Sequence, residues 1–256
     1  MDLNKRQTEI LNALIENGSV HSSNLSEKYS VSTETIRKDF NLLSSLGYAD
    51  KHHGFATISQ QYLKEHLNFD TKMEQNNREK ILIAKQALSY VPDNSVIFCD
   101  SGSTVCELAK LLYLRTSVTV VTPSLSIVNV LRSIPDRNHH LFLLGGYVNY
   151  DFALTRSMEF DNSIEQFKFA VSFLGTTGIR YHDGPTSSRY SEGILRQRAI
   201  ARSDSSIVLC DHTKFISGGV HQYANWSDCD ILITDSIPDS PGAKDLMKQI
   251  QVISCT

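Results

Sequence analysis

The chain has no uninterrupted apolar stretch approaching the roughly 18 residues that a membrane-spanning helix requires. It begins MDLNKRQTEIL, polar from the outset and without the apolar core of a secretory leader. Both features lead to the expectation of a soluble, cytoplasmic protein with no membrane partner. Cysteine is sparse and scattered: Cys99, Cys106, Cys210, Cys229 and Cys255 form no C-x-x-C pair, so no metal site or cofactor is expected. Their odd number argues against a disulfide framework, and several lie in apolar runs where a thiol behaves as a small hydrophobe. A basic excess is missing as well. The formal net charge is −3. Within the first sixty residues, Lys5, Arg6, Lys28, Arg37, Lys38 and Lys51 are nearly matched by Asp2, Glu9, Glu16, Glu27, Glu34, Asp39 and Asp50. Whole-domain charge therefore does not support nucleic-acid binding. Only the local placement of Arg37, Lys38 and Lys51 does.

What is present falls into two rhythms. From Leu3 to Glu16, Ile10, Leu11, Leu14 and Ile15 recur at helical spacing, and Gly18 ends the helix as a C′ glycine does. Ser22 or Ser23 is placed to cap a second helix running to Tyr29, with Leu25 as its buried anchor. Ser30-Val31 makes a turn. Ser32 caps a third helix in which Ile36, Phe40, Leu43 and Leu46 form one apolar face, and Gly47 stops it. YADKHHGFATI then alternates weakly and turns at His53-Gly54, as a small wing would. After a polar stretch, Ile81, Leu82, Ala84, Lys85 and Leu88 resume helical spacing.

Beyond Pro92 the pattern changes. SVIFCD, SVTVVT, HLFLLG, FAVSFLG, SSIVLCD and DILITD are short apolar runs bounded by Asp, Gly or Pro. Helix-like segments separate several of them. Near-continuous apolar strands alternating with helices indicate a parallel sheet covered on both faces. The expected fold is α/β: a small N-terminal winged helix-turn-helix domain over residues 1–59, a linker over 60–78, and a mostly parallel, helix-covered α/β effector domain over 79–256.

The third helix carries the first functional signal. A short polar residue at its start lets a helix N-terminus approach phosphates and base edges, as in a helix-turn-helix. Arg37 and Lys38 are suited to guanine O6/N7 or phosphate, and Thr33 or Thr35 to a thymine methyl. Ser23, Ser32, Lys51 and His53 complete the candidate DNA-binding set. The bland alternative is an amphipathic helix with a solvated face. The preceding helix, turn and wing weigh against it.

The second signal is DSGST at Asp100–Thr104, a glycine-containing strand-to-helix turn of the kind that exposes backbone N–H groups to an anion. Asp100 is suited to sugar hydroxyls, Ser103 and Thr104 to a phosphate. Alone such a turn is commonly a structural connector. Other strand ends resemble it: TPSLS, the Gly145-Gly146 pair, GTTG at Gly175–Gly178, and DHTKF with Lys214 as its cation. Ligands in open α/β sheets sit at the carboxyl ends of the strands.

VSTETIRKDFNLLSSLGYADKHHGFA resembles the DeoR-type winged helix, whose pattern is VS-x-x-TIR-x-D, a leucine-rich stretch, then a glycine and HGGA. Val31, Ser32, Thr35, Ile36, Arg37, Asp39, Gly47, His53, Gly54 and Ala56 fall on it, with Phe55 in place of the second glycine. From Lys72 onward the chain is similar to the DeoR-type sensor, related in fold to ribose-phosphate isomerases and CoA transferases. There DSGST stands for D-x-GTT, TPSL for TNSL, LLGG for LGG and DHTKF for D-x-SKF. The resemblance implies a pocket for a phosphorylated sugar, polyol or sugar acid. Its candidate contacts here are Asp100, Gly102, Ser103, Thr104, Ser124, Gly145, Gly146, Gly175, Glu192 and Lys214. Departures are Asp50 in the wing, where a carboxylate repels phosphate; Pro123, which removes an Asn side chain and an N–H; Gln197, at the expected lysine position; and Arg156, where a small residue is usual.

The expected function is a sequence-specific transcriptional regulator, foremost a repressor of a carbohydrate operon that releases DNA on binding the effector. Subunit pairing into a homo-oligomer, dimer or tetramer, is expected because single winged helices rarely bind tightly enough alone. An activator or a ligand-independent regulator is the alternative. A sugar-phosphate isomerase with a DNA-binding appendage is a third reading, with Asp100, Asp211 and Glu192 as candidate bases. No catalytic set is expected.

Overall fold

Asn4 opens the first helix, α1 (Lys5–Asn17), through a capping box: its side chain accepts from the Gln7 N–H while Gln7 reaches back to the Asn4 N–H. The computed structural model describes residues 3–59, 62, 69–135, 138–150, 152–156, 162–179 and 183–255. Two compact units divide it, Met1–Lys72 and Met73–Thr256. Of the stretch expected as linker, residues 60–61 and 63–68 lie outside the described residues.

In the first unit α1 ends at Gly18, whose φ of 75° is the left-handed conformation that glycine adopts freely. A strand that the sequence pattern does not announce follows at once, β1 (Ser19–His21). It is followed by α2 (Ser22–Tyr29) and α3 (Thr33–Ser45). The wing comprises β2 (Ala49–Lys51) and β3 (Phe55–Ile58), and the sheet order β1-β3-β2 is antiparallel throughout. Ile10, Leu14, Ile36, Phe40 and Leu43 are fully buried and form the shared core.

Two expectations are corrected here. Neither Ser22 nor Ser23 caps α2: the N-cap is His21, which makes no side-chain cap bond. Ser22 is instead buried, and both its N–H and its hydroxyl donate to the Gly54 carbonyl, tying α2 to the wing turn. Leu46 does not continue the apolar face of α3. It is the C-cap, outside the last turn, and 36% exposed.

The second unit begins with α4 (Phe69–Glu74), which straddles the division, and α5 (Asn77–Leu88). The buried stripe of α5 is Lys80, Ile83, Ala84 and Ala87, rotated from the expected one, and Ile81 faces solvent. Seven parallel strands then form one sheet. They are β4 (Val96–Cys99), β5 (Val118–Thr122), β6 (His139–Leu143), β9 (Val171–Gly175), β11 (Ser206–Leu209), β13 (Ile231–Thr234) and β14 (Gln251–Ser254). All six expected strands are present, and β14 adds a seventh.

The helices α6 (Ser103–Ala109), α7 (Leu125–Ser133), α8 (Tyr190–Ala201) and α9 (Pro241–Leu246) alternate with them. Two small ribbons are β7 (Tyr147–Asn149) with β8 (Leu154–Arg156), and β10 (Thr186–Ser187) with β12 (His221–Gln222). Every residue of β9, β11 and β13 is buried, as required of strands covered on both faces.

Sheet order is β14-β13-β11-β9-β4-β5-β6. The chain runs outward from β4 through β5 to β6, then returns to the other side of β4 and runs outward again. Strand order therefore reverses between β4 and β9. In open α/β sheets, ligands sit outside the carboxyl ends of the strands beside such a reversal.

Candidate functional site

In the first unit the candidate recognition helix is α3. The Ser32 hydroxyl accepts the Thr35 N–H at 3.1 Å and lies 2.9 Å from the Thr35 hydroxyl, which fixes the first turn. Thr33, Glu34, Arg37, Lys38 and Asn41 are exposed on one side. The Arg37 guanidinium is 3.5 Å from Glu34, a solvent-exposed pair too weak to hold it from another partner. Lys51 of β2 donates to Asn41 at 2.6 Å, joining wing and recognition helix. Ser23 is exposed on α2 and His53 at the wing turn. Arg37, Lys51, His52 and His53, with Ser22, Phe40 and Gly54, line a concavity of about 450 Å³. Phe55 packs between His52, stacked at 4.6 Å, and His21 at 5.6 Å. Asp39 faces the other way. It is 2% exposed and accepts from Arg6 Nε at 2.7 Å and Gln7 Nε2 at 2.9 Å.

In the second unit the loops after β4, β5, β6, β9 and β11 leave the same edge, because these strands are parallel neighbours. Asp100, Gly102, Ser103 and Thr104 follow β4. Asp100 is 1% exposed; its carboxylate accepts the Gly175 N–H at 2.9 Å and Arg196 Nε at 2.7 Å. A Cβ on Gly175 would lie 3.1 Å from that carboxylate and 3.4 Å from the Gly102 Cα, so the two loops pack backbone to backbone across the reversal. The Tyr223 hydroxyl donates to the Gly175 carbonyl at 2.8 Å, and burial pushes its pKa up. Ser103 is half-buried and Thr104 buried.

The remaining candidates differ in how far they are already occupied. The Ser124 hydroxyl caps α7 by accepting the Ile127 N–H at 3.2 Å. Gly145 and Gly146 are exposed after β6. Lys214 is half-buried in a short turn, His212–Phe215, that Asp211 caps. Asp211 also accepts from Asn76 at 3.2 Å. Near them Lys80 is buried; its pKa is lowered by burial, which Asp211 opposes and Lys214 reinforces.

A cluster of three arginines stands beside the Asp100 loop. Arg189, the N-cap of α8, and Arg196, two turns on, both pair with Glu192, Arg196 at 3.5 Å. The Arg189 guanidinium lies over the ring of Phe152. Burial pushes the Glu192 carboxyl upward, but Arg189, Arg196 and Arg156 outweigh it and bring the pKa down to about 2. Burial lowers Arg196 as well, yet Asp100 and Glu192 prevail and its pKa rises. Arg189 goes the other way: burial first, then Arg156 and Arg196, overcome the attraction of Glu192.

The family model described as the DeoR-like helix-turn-helix domain matches residues 6–62, and that of the DeoR C terminal sensor domain matches residues 75–236. This chain belongs to the DeoR family. Among its relatives, the HTH-type transcriptional regulator GolR of Listeria innocua is 30% identical over 91% of this chain and 90% of its own. The putative aga operon transcriptional repressor of Escherichia coli O157:H7 is 27% identical over 90% and 86%. The ribose 5-phosphate isomerase A of Methanocaldococcus jannaschii is a distant structural likeness, with TM-score 0.39 and 16% identity over 55% of each chain.

Within this DeoR-family chain, two neighbours on α8 have different surroundings. Gln197 is exposed and lines a shallow hollow with Gln222, Ala224 and Asn225, whereas its neighbour Arg196 reaches Asp100. Arg189 was missed altogether. Its signal was available: Arg189, Glu192 and Arg196 recur at i, i+3 and i+7, one face of a helix. The three carboxylates considered as enzymatic bases, Asp100, Asp211 and Glu192, are each engaged by named donors. Among the described residues no group of three or more His, Cys, Asp or Glu could hold a metal ion, and no helix is long and apolar enough to cross a membrane.

Proposed function

We propose that this DeoR-family regulator is a repressor of a carbohydrate-utilisation operon that leaves its operator when a phosphorylated sugar, polyol or sugar acid occupies the second unit. The supporting observation is the meeting of the Asp100–Thr104 and Gly175–Gly178 loops at the carboxyl ends of β4 and β9, with Arg196 on Asp100 and Lys214 in the loop after the next strand, β11. An anionic, hydroxyl-rich ligand suits such a place. The name of the aga operon relative supports the repressor assignment. On this reading Ser23, Ser32, Thr33, Thr35, Arg37, Lys38, Lys51 and His53 meet DNA. Residues of the Asp100, Gly145, Gly175 and Lys214 loops meet the effector. The protein acts in the cytoplasm as a homo-oligomer whose paired recognition helices match two half-sites. A tenfold release from DNA needs only about 1.4 kcal/mol of coupling.

The engagement of Asp100, Asp211 and Glu192 by neighbouring donors weighs against the isomerase reading, since a base must be free to take a proton. The test is a thermal-shift screen of sugar and polyol phosphates, followed by gel shifts on DNA selected in vitro. A ligand that raises the melting temperature, releases the DNA and loses its effect on Lys214→Ala is the expected result. Absence of any stabilising phosphate ester, or an unchanged response in Lys214→Ala, would sink the effector assignment.

A further inference from the structure

The guanidinium cluster has more hydrogen-bonding capacity than the protein uses. Nε and Nη2 of Arg156, Nε of Arg189 and Nη1 of Arg196 are buried and have no hydrogen-bond partner among the described residues. Arg189 and Arg196 are 4% and 5% exposed, so bulk water does not serve them. Among the described residues charge is also unbalanced: three guanidiniums face two carboxylates, Glu192 and Asp100. An ion-pair network serving only the fold would pair its buried donors, because each one left open is costly.

The Arg189 and Arg196 side chains, and the backbone that carries Arg156, are held in place before any ligand arrives. Arg156 ends β8, whose Thr155 donates from both its N–H and its hydroxyl to the Pro123 carbonyl. Arg189 rests on Phe152, and Arg196 is fixed by Asp100. Planar guanidiniums converging in this way match a carboxylate or a phosphate.

We propose that Arg156, Arg189 and Arg196 form a receiving site for one acidic group of the effector, distinct from the Lys214 loop. The effector is then a carbohydrate carrying two acidic groups, a phosphate together with a carboxylate or second phosphate. This rests on the reading that the second unit takes a phosphorylated carbohydrate. Lys214 follows β11 and the Asp100 loop follows β4, with β9 between them. Two strand spacings separate these positions by about 10 Å, a span that a short sugar chain with an acidic group at each end can bridge.

The test compares three probes on the full chain by calorimetric titration at fixed ionic strength: ribose 5-phosphate, 6-phosphogluconate and fructose 1,6-bisphosphate. The expected result is at least tenfold tighter binding of one or both two-anion probes. That advantage should vanish in Arg156→Met and Arg189→Met while ribose 5-phosphate binding changes less than twofold. Which of the two probes is preferred tells carboxylate from phosphate. Circular dichroism of each variant checks folding, and Arg189→Gln replaces Arg189→Met if the latter fails to fold. Ribose 5-phosphate binding as tightly as the others, or an advantage surviving both substitutions, overturns the second-anion site and leaves the phosphorylated-carbohydrate reading standing. No binding of any probe to the wild type overturns the site and counts against that reading too.

Discussion

Arg196 Nε meets Asp100 Oδ2 at 2.7 Å, joining α8 to a loop ninety-six residues earlier in the chain, with both side chains almost wholly buried. The same carboxylate accepts the Gly175 N–H, so one group fixes both loops at the β4/β9 reversal. Asp100→Ala leaves a buried guanidinium facing Glu192 alone. It should cost about 3–5 kcal/mol of stability, and Asp100→Ala with Arg196→Met should recover part of the loss. Urea unfolding measures both; equal losses in the single and double variants would show that the pair does not carry the effect.

Glu192 gives a pH prediction. Its carboxyl falls from the ordinary 4.5 to about 2 in the folded protein, so the folded state favours the ionised form. Stability from this group is fully present above about 4.5 and is lost as pH falls toward about 2. In Glu192→Gln this part of the acid dependence should disappear, leaving a shallower loss over the same window. Denaturant midpoints taken at pH steps from 6 to 2 read the difference. Identical slopes for the two proteins would contradict the assignment.

Arg37→Ala should weaken binding to selected DNA by about 2 kcal/mol, roughly thirtyfold, without changing the melting temperature. Its side chain is 47% exposed and its one intramolecular partner is a surface glutamate. Gel shifts and a thermal melt on the same preparation separate the two effects. Undiminished specific binding would remove Arg37 from the recognition surface.

Gly175→Ala should be destabilising by about 1–3 kcal/mol, because the new methyl group presses on the Asp100 carboxylate and the Gly102 backbone. Calorimetry of the variant checks this. No change in melting temperature would mean that the loops can separate at little cost.

Much of this architecture was legible in the sequence, and the illegible parts share a cause. The α3 cap at Ser32, the left-handed Gly18 and the six apolar strands are local patterns, decided by residues within a few positions of one another. The three-residue strand β1 was not legible: it is too short for a period, and it exists because β3 offers it an edge. The role of Ser22 escaped for a similar reason, since its partner, Gly54, is 32 residues away. In α5 the expected stripe was set by Ile81 and Leu88, while the protein buries Lys80, whose ammonium donates to the Gln75 carbonyl and is also attracted by Asp211, from beyond the helix. At the candidate effector site the strand-end loops were readable. Of the arginine cluster, only the Arg189, Glu192 and Arg196 face at α8 could have been read; that Arg156 joins it from a distant ribbon could not.

Asp39→Ala should lower the stability of the first unit by about 2 kcal/mol, the worth of a charge-assisted hydrogen-bond set. Limited proteolysis of the winged unit reports it; unchanged protection would deny the clamp.

That clamp has a practical side. The proposed DNA-reading helix, α3, is tied through Asp39 to Arg6 and Gln7, in the first turn of the first helix. A purification tag or fusion partner attached just ahead of Asn4 crowds the anchor of the reading head. Binding constants from amino-terminally tagged protein should therefore be compared with tag-free material before any weakness is ascribed to the recognition surface.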